Sequence, residues 1–250
     1  MKDLFDLTGQ VAVVTGASTG LGVQMAKALA AKGANLVLMA RRQNLLDENK
    51  EAIEKEFGVK VLAYACDITD TEKVKGAVAA TLAEFGRVDI LINNAGITKD
   101  AQFYKMTPEQ FHAVINVNLG GNFNMTKAVV PYMMEQNYGK IVHTSSVSAF
   151  NGNFGQSNYA ASKAAIMGMT RVQGKELGKY GINVNAVCPG SIMTDMYAAV
   201  PEEIKQKKLK AIPLRRYGDP RECAQVYCFL ASDESSYITA QMIVCDGGFN

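Results

Sequence analysis

Short apolar runs alternate with longer stretches in which apolar residues return every three or four positions, and the alternation continues from one end of the chain to the other. Val11-Ala12-Val13-Val14 and Leu36-Val37-Leu38-Met39 contain no polar residue at alternate positions, which predicts strands covered on both faces. The runs place strands near 10–15, 35–40, 60–65, 88–92, 139–145, 182–188 and 241–245. Helical periodicity predicts helices over Gln43 to Phe57, Thr71 to Phe85, Pro108 to Gln136, Asn158 to Lys179 and Pro220 to Ala231. Strand and helix in strict alternation predict an α/β fold, a doubly wound seven-stranded parallel sheet flanked by helices on both faces. Crossovers in such a sheet are right-handed and ligands gather at the carboxyl ends of its strands. No repeat, low-complexity tract or linker interrupts the pattern, so a single domain spanning 1–250 is expected.

Composition narrows the function classes. A chain of 250 residues that is 48% hydrophobic can bury one large core. A formal net charge of +2 and the lack of a basic stripe argue against nucleic acid or an anionic membrane as the principal partner. Met1 to Asp6 lacks the apolar core of a signal peptide, and no apolar segment reaches the roughly 18 residues of a membrane span, so a cytoplasmic protein is expected. Cys66, Cys188, Cys223, Cys228 and Cys245 are scattered and never in C-x-x-C spacing, which reads as buried small hydrophobes. His112 and His143 stand without a partner pattern and read as structural, so no metal site is expected.

Two motifs carry chemistry. Gly16-Ala17-Ser18-Thr19-Gly20-Leu21-Gly22 lies between the first strand and a helical pattern of Val23, Ala26, Leu29 and Ala30. Glycine admits positive φ and close approach of a pyrophosphate, while a helix N-terminus offers free N–H groups and a partial positive charge. Tyr159 and Lys163 stand four apart on a predicted helix and therefore share a face, with Ser146 upstream at the tip of a strand. A fixed ammonium beside a phenol draws its pKa toward the working pH, so Tyr159 is expected to serve as acid and base.

With these residues the chain resembles the short-chain dehydrogenase/reductase family from end to end. The resemblance runs through Thr15 to Gly22, Asp67, Asn93-Asn94-Ala95-Gly96, Asn118, Ser146, Tyr159, Lys163, Pro189-Gly190, Thr194 and Asp246-Gly247-Gly248. It implies a Rossmann-type fold and an oxidoreductase that interconverts a ketone and a secondary alcohol by hydride transfer. By similarity, Tyr159 exchanges the proton, Ser146 holds the substrate oxygen as charge develops, Lys163 lowers the Tyr159 pKa and holds the nicotinamide ribose, and Asn118 positions a water that completes a proton relay. The cofactor is expected to meet Gly16, Ser18, Thr19, Gly20, Leu21, Gly22, Arg41, Arg42, Asp67, Ile68, Asn94, Ala95, Gly96, Tyr159, Lys163, Pro189, Gly190, Ile192 and Thr194. At the end of the second strand Ala40 stands where an acidic residue would hold a ribose hydroxyl, and two arginines follow. That favours NADP(H), because a guanidinium pairs with the 2′-phosphate; NAD(H) is the alternative, supported by Thr19 where a second basic residue is often found.

The segment 191–217 is implied to be a substrate lid, with Met193, Met196 and Tyr197 suited to an apolar substrate. Ser146, Ser148, Asn153, Phe154, Tyr159 and Tyr197 are the expected substrate contacts. The nearest family likeness is to 3-oxoacyl-[acyl-carrier-protein] reductases, with hydroxysteroid dehydrogenases and sugar-acid dehydrogenases such as gluconate 5-dehydrogenase as rivals, so the substrate is an acyl-thioester or small-molecule ketone or alcohol. A non-catalytic NADP(H) sensor would have no use for the Tyr and Lys that are retained here. Relatives imply a homotetramer built through the long helices and the C-terminal segment.

Overall fold

The computed structural model describes residues 4–194 and 202–250. All seven strands run parallel in one sheet of order β3-β2-β1-β4-β5-β6-β7: β1 Val11–Thr15, β2 Asn35–Ala40, β3 Val61–Ala65, β4 Ile90–Asn93, β5 Gly139–Thr144, β6 Ile182–Pro189 and β7 Met242–Cys245. The order reverses between β1 and β4, the point at which a doubly wound sheet places its ligand crevice.

Alternation along each strand sends its side chains into two separate cores. Ala12, Val14, Leu36, Leu38, Ile90, Ile92 and Val142 pack on one face with α1 (Gly20–Ala30) and α9 (Pro220–Ala231). Val11, Val13, Val37, Met39, Leu91 and Ile141 pack on the other with α3 (Thr71–Phe85) and α5 (Asn122–Gln136). Each such aliphatic side chain, fully buried, contributes about 1.5–3 kcal/mol, so continuous apolar strands are what a sheet covered on both faces requires.

Helix ends follow local chemistry. Asp70 caps α3 by accepting from the Glu72 and Lys73 amides, and α2 (Gln43–Phe57) and α3 stop at Gly58 and Gly86, whose φ of 71° and 72° is left-handed. Asp219 and Glu222 form a capping box around Pro220 at the start of α9. The helix predicted over Pro108 to Gln136 is not continuous. It divides into α4 (Pro108–Ile115), a π-turn over Asn116–Gly121 and α5. Wider winding at 116–121 leaves the apolar spacing nearly unchanged, which is why periodicity alone misses it. Two more helices complete the site side of the sheet: α6 (Ser148–Asn151) and the long α7 (Ser157–Leu177). The short helix α8 (Glu202–Ala211) lies beyond the undescribed residues.

Candidate active site

β5 ends at Thr144, so Ser146 stands two residues past the strand rather than within it, and the chain turns there into α6. The Ser145 amide still reaches the Val187 carbonyl at 2.8 Å, which fixes the exit direction. Ser146 Oγ accepts from the Ser148 amide at 3.2 Å and hydrogen-bonds the Tyr159 phenol, so the loop after β5 and the first turn of α7 meet at two hydroxyls. Lys163, one turn along α7, is buried to 2% exposure and donates from Nζ to the Thr144 carbonyl at 2.7 Å. Its Nζ also lies over the Tyr159 ring, 5.5 Å from the centroid. Gln156, Asn158 and Asp100 brace this corner. Asn158 accepts from the Tyr159 amide and donates to the Lys99 and Gln110 carbonyls, while Gln156 bonds the Asp100 carboxylate at 2.9 Å.

The titration of this group differs from expectation. Burial pushes the Tyr159 phenol above its ordinary value; the Ser146 hydrogen bond opposes the rise and the Asp100 carboxylate adds to it. The Lys163 ammonium addresses the ring face and the Thr144 carbonyl. Desolvation falls on Lys163, lowered to about 8. Tyr159 is partly exposed, and the rise in its pKa keeps its hydroxyl protonated at neutral pH.

Asn118 lies on the π-turn and is fully buried. Its Oδ1 accepts from the Ile97 amide at 2.8 Å and its Nδ2 donates to the Ile97 carbonyl and to Ser162 Oγ, both at 3.1 Å. A Cβ on Gly96 would stand 3.2 Å from Asn118 Oδ1 and 3.6 Å from Lys163 Nζ, so the loop after β4 passes close over both side chains.

At the crevice the glycine turn is built to be approached. Gly16 and Gly20 have φ of 69° and 62°, and a Cβ on Gly22 would collide with the Gly16 carbonyl at 2.3 Å, which locks α1 against the turn. Unlike α3, α4 and α9, α1 has no side chain accepting from its first-turn amides and no acidic residue there. That donor set fits an anion such as a pyrophosphate. Asn94 donates to the Thr15 carbonyl, and Thr15 Oγ1 accepts from the Asn94 and Ala95 amides at 3.0 Å, joining the tips of β1 and β4. The two arginines separate. Arg42 bends back over the turn to Ser18 Oγ at 3.1 Å and Thr19 Oγ1 at 3.4 Å, whereas Arg41 lies near the Asp67 carboxylate. Asp67 accepts from the Thr69 amide and hydroxyl, bonds that hold its carboxyl below the usual range. Leu21 packs against the core beneath the turn, and Ile68 is buried where a Cβ on Gly121 would strike it.

On the far side Pro189 and Gly190 end β6. The Pro189 carbonyl accepts from the Val147 amide, and Gly190 passes so close to Asp246 that a Cβ would stand 2.4 Å from that side chain. Ile192 is buried and bridges to Gly218, and the Thr194 amide bonds the Ile192 carbonyl. Ser148 Oγ accepts from Asn153 at 2.7 Å, and Phe154 is 86% exposed. Tyr197 and Met196 lie outside the described residues. His143 is buried and neutral, lowered to about 4, between Asn93 and Gln173, as a structural residue should be.

A family model described as enoyl-(acyl carrier protein) reductase matches residues 16–250. A 3-oxoacyl-[acyl-carrier-protein] reductase of Thermotoga maritima is 46% identical over 245 residues, covering 97% of this chain and 98% of the relative. The chain belongs to the short-chain dehydrogenase/reductase family. An acetoacetyl-CoA reductase of Shinella zoogloeoides is 42% identical over 96% of this chain and 98% of its own. The crystal structure of levodione reductase superimposes with a TM-score of 0.93 at 36% identity, over 97% of this chain and 98% of that one. As a short-chain dehydrogenase/reductase of this ketoreductase-like group, the protein is an oxidoreductase acting on CH–OH groups, and the family implies a nicotinamide cofactor. No helix among the described residues is long and apolar enough to cross a membrane, and no group of metal-ligating side chains occurs among them.

Several residues that shape this site are silent in the sequence. Asn49 reads as one more polar residue of α2, yet its Nδ2 donates to the Ala17 and Ser18 carbonyls at 3.2 and 3.1 Å and closes the glycine turn from behind. Asp100, Gln156 and Asn158 gave no signal either. Thr15 stands in the family resemblance, as the first residue of Thr15 to Gly22.

Proposed function

We propose that the protein is an NADP(H)-dependent ketoreductase in which Tyr159 exchanges a proton with the substrate oxygen. The observation that carries this reading is the hydrogen-bonded pair Ser146–Tyr159 at the crevice with buried Lys163 beneath the ring. The bound nicotinamide would supply or accept the hydride. Ser146 would donate to the carbonyl oxygen and hold it while negative charge develops. Tyr159 gives up its proton to that oxygen, and its raised pKa suits reduction because the acid is loaded at neutral pH. Lys163, an ammonium below about pH 8, would stabilise the transient phenolate and would hold the ribose hydroxyls of the bound cofactor. Asn118 pins the 96–97 loop across Lys163 and marks the route by which the proton is replaced.

The cradle would be formed by Gly16, Ser18, Thr19, Gly20, Leu21 and Gly22, with Asp67, Ile68, Asn94, Ala95 and Gly96 along the adenine and ribose side and Pro189, Gly190, Ile192 and Thr194 along the nicotinamide. Arg42 favours NADP(H), since its guanidinium already meets the Ser18 and Thr19 hydroxyls where a 2′-phosphate would sit. Arg42→Ala should raise the KM for NADPH roughly 10- to 100-fold, the worth of a charge-assisted hydrogen bond, and leave the KM for NADH unchanged. An equal effect on both cofactors would remove the NADP(H) assignment.

The substrate reading follows the 3-oxoacyl thioester reductases, with the 191–217 segment as lid and Ser148, Asn153 and Phe154 on the pocket wall. Exposed Glu135 and Asn137, neither of them basic, favour a small-molecule or free thioester ketone over an acidic carrier protein. Assays at 340 nm with NADPH and 3-oxoacyl thioesters, steroid ketones and keto-sugar acids separate the classes. Exposed Phe123 borders an apolar hollow with Ile115, Leu119 and Met169 on the π-turn face, which supports a homotetramer; a monomer mass by light scattering would refute it.

A further inference from the structure

The loop after β4 and the chain entering α7 are joined through three successive residues. Asn158 Nδ2 donates to the Lys99 carbonyl, Gln156 Nε2 to the Asp100 carboxylate, and the Ala101 amide to the Gly155 carbonyl, each at 2.9 Å. The middle bond has a direction. An ionised carboxylate only accepts, so Gln156 must turn its amide nitrogen toward Asp100 and its Oε1 away. That oxygen accepts from Asn153 Nδ2 at 3.0 Å, and the same nitrogen donates to Ser148 Oγ at 2.7 Å. Both N–H bonds of Asn153 are thereby used. Turning either amide over would set oxygen against oxygen.

The relay ends on a hydroxyl whose role it decides. Ser148 is 5% exposed and its oxygen serves as the acceptor for Asn153, while its hydrogen meets no acceptor among the described residues. A buried donor is costly to leave unpaired, so such a group marks a place where a ligand completes the bonding. The Ser148 amide donates to Ser146 Oγ at 3.2 Å, which sets Ser148 directly beside the Ser146–Tyr159 pair. At the other end of the relay, the Asp100 carboxylate is near enough to oppose ionisation of the Tyr159 phenol.

We propose that Ser148 is a specificity residue, held as a hydrogen-bond donor by the Asp100–Gln156–Asn153 relay for a second oxygen of the substrate, so that the site selects 3-oxo esters and thioesters over plain ketones. This role rests on the ketoreductase reading, in which Ser146 and Tyr159 take the ketone oxygen. In a 3-oxo ester one methylene separates the two carbonyl carbons, so the ester oxygen lies close to the ketone oxygen, within reach of the hydroxyl two residues from Ser146. A plain ketone would leave the Ser148 hydrogen without a partner, and a site built to bond a polar group rejects the analogue that lacks it. The carboxylate is what fixes the preference. With a side chain at position 100 that can donate, both amides could turn over and Ser148 would spend its hydrogen on Asn153.

The test compares ethyl 3-oxobutanoate with 4-ethoxybutan-2-one, the same chain with a methylene in place of the ester carbonyl, in steady-state kinetics with NADPH. Each variant is judged by its ester-to-ketone ratio of kcat/KM, in which general damage to the site cancels. We expect the ratio to fall about tenfold or more in Ser148→Ala and about 3- to 10-fold in Asp100→Asn. Equal losses on the two substrates, or no loss, in either variant would overturn the proposal. The double variant Asp100→Asn, Gln156→Glu moves the obligate acceptor one place along the relay, where it again forces Asn153 to donate, so its ratio should return to within about threefold of wild type. A ratio as low as that of Asp100→Asn alone would overturn the relay. If neither compound is reduced, the ketoreductase reading fails separately, and the same ratios are read from dissociation constants by saturation-transfer NMR in the presence of NADP+, with the same outcomes deciding.

Discussion

Two lysines, Lys140 and Lys163, are each buried to 2% exposure at opposite ends of β5, and their surroundings differ in one respect. Lys140 has a full complement: Asn183 Oδ1 at 2.8 Å, the Tyr138 ring 5.7 Å from Nζ, and the Asp233 carboxylate at 4.0 Å. Burial lowers its pKa, and Asp233 and Glu234 push back. Lys163 has a carbonyl and an aromatic face, with no carboxylate in ion-pair range among the described residues, and falls to about 8. One ammonium is neutralised by the fold. The other is carried at a cost to stability, its charge left facing the crevice, which is what a group reserved for a ligand or a transient anion looks like.

The sharpest way to break this contrast is through turnover. Tyr159→Phe keeps the ring over which Lys163 sits and removes the transferable proton, so kcat should fall on the order of 100- to 10,000-fold with NADPH affinity retained. Lys140→Met, at the other end of the strand, should leave kcat unchanged; comparable losses in the two variants would erase the distinction. Next in size is the stability of Lys163→Met. Between about pH 8 and the unfolded value of 10.5 the unfolded chain binds more protons than the native one, so wild-type stability should rise with pH across that window. Below pH 8 the buried charge costs about 3 kcal/mol, and Lys163→Met should recover part of it at pH 7 while flattening the rise. Denaturant midpoints read both, and a less stable variant at pH 7 would count against the idea.

Lys140→Met should alter stability by only about 1 kcal/mol, because half-exposed Asp233 can return to water and one hydrogen bond to Asn183 is lost. The smallest effect belongs to Gly96→Ala. Its Cβ would press on Asn118 Oδ1 by a few tenths of an ångström while meeting Lys163 at ordinary contact distance, and kcat should drop by less than about tenfold, well short of the ~100-fold that a 1 Å misplacement brings. A collapse of activity there would mean the loop tolerates no displacement at all.

Where the backbone obeys local rules, the sequence was enough. The helices read from periodicity over Gln43 to Phe57, Thr71 to Phe85 and Pro220 to Ala231 match the structure to the residue, where Asp70, Asp219 with Pro220, Gly58 and Gly86 stand at their ends. The doubly wound parallel sheet follows from strand–helix alternation, whereas the order β3-β2-β1-β4-β5-β6-β7 depends on pairings between distant segments. Grouping of Ser146, Tyr159, Lys163 and Asn118 was legible as a motif, while its electrostatics were not. Spacing puts Lys163 beside Tyr159, but only packing decides that its ammonium addresses a ring face and a carbonyl, and that burial outweighs charge in setting both pKa values. The roles of Asn49 and of Asp100 bonded to Gln156 depend on contacts between distant elements, and no local pattern encodes those.

The π-turn at Asn116–Gly121 has one further consequence. Its extra residue per turn is a removable length of chain. Deleting Val117 would let α4 and α5 fuse into one regular rod, improving backbone geometry locally and keeping the two helices in register while drawing the side chains of the wide turn to new positions. Asn118 could then no longer hold Ile97 and Ser162 together, so a better helix would make a poorer enzyme.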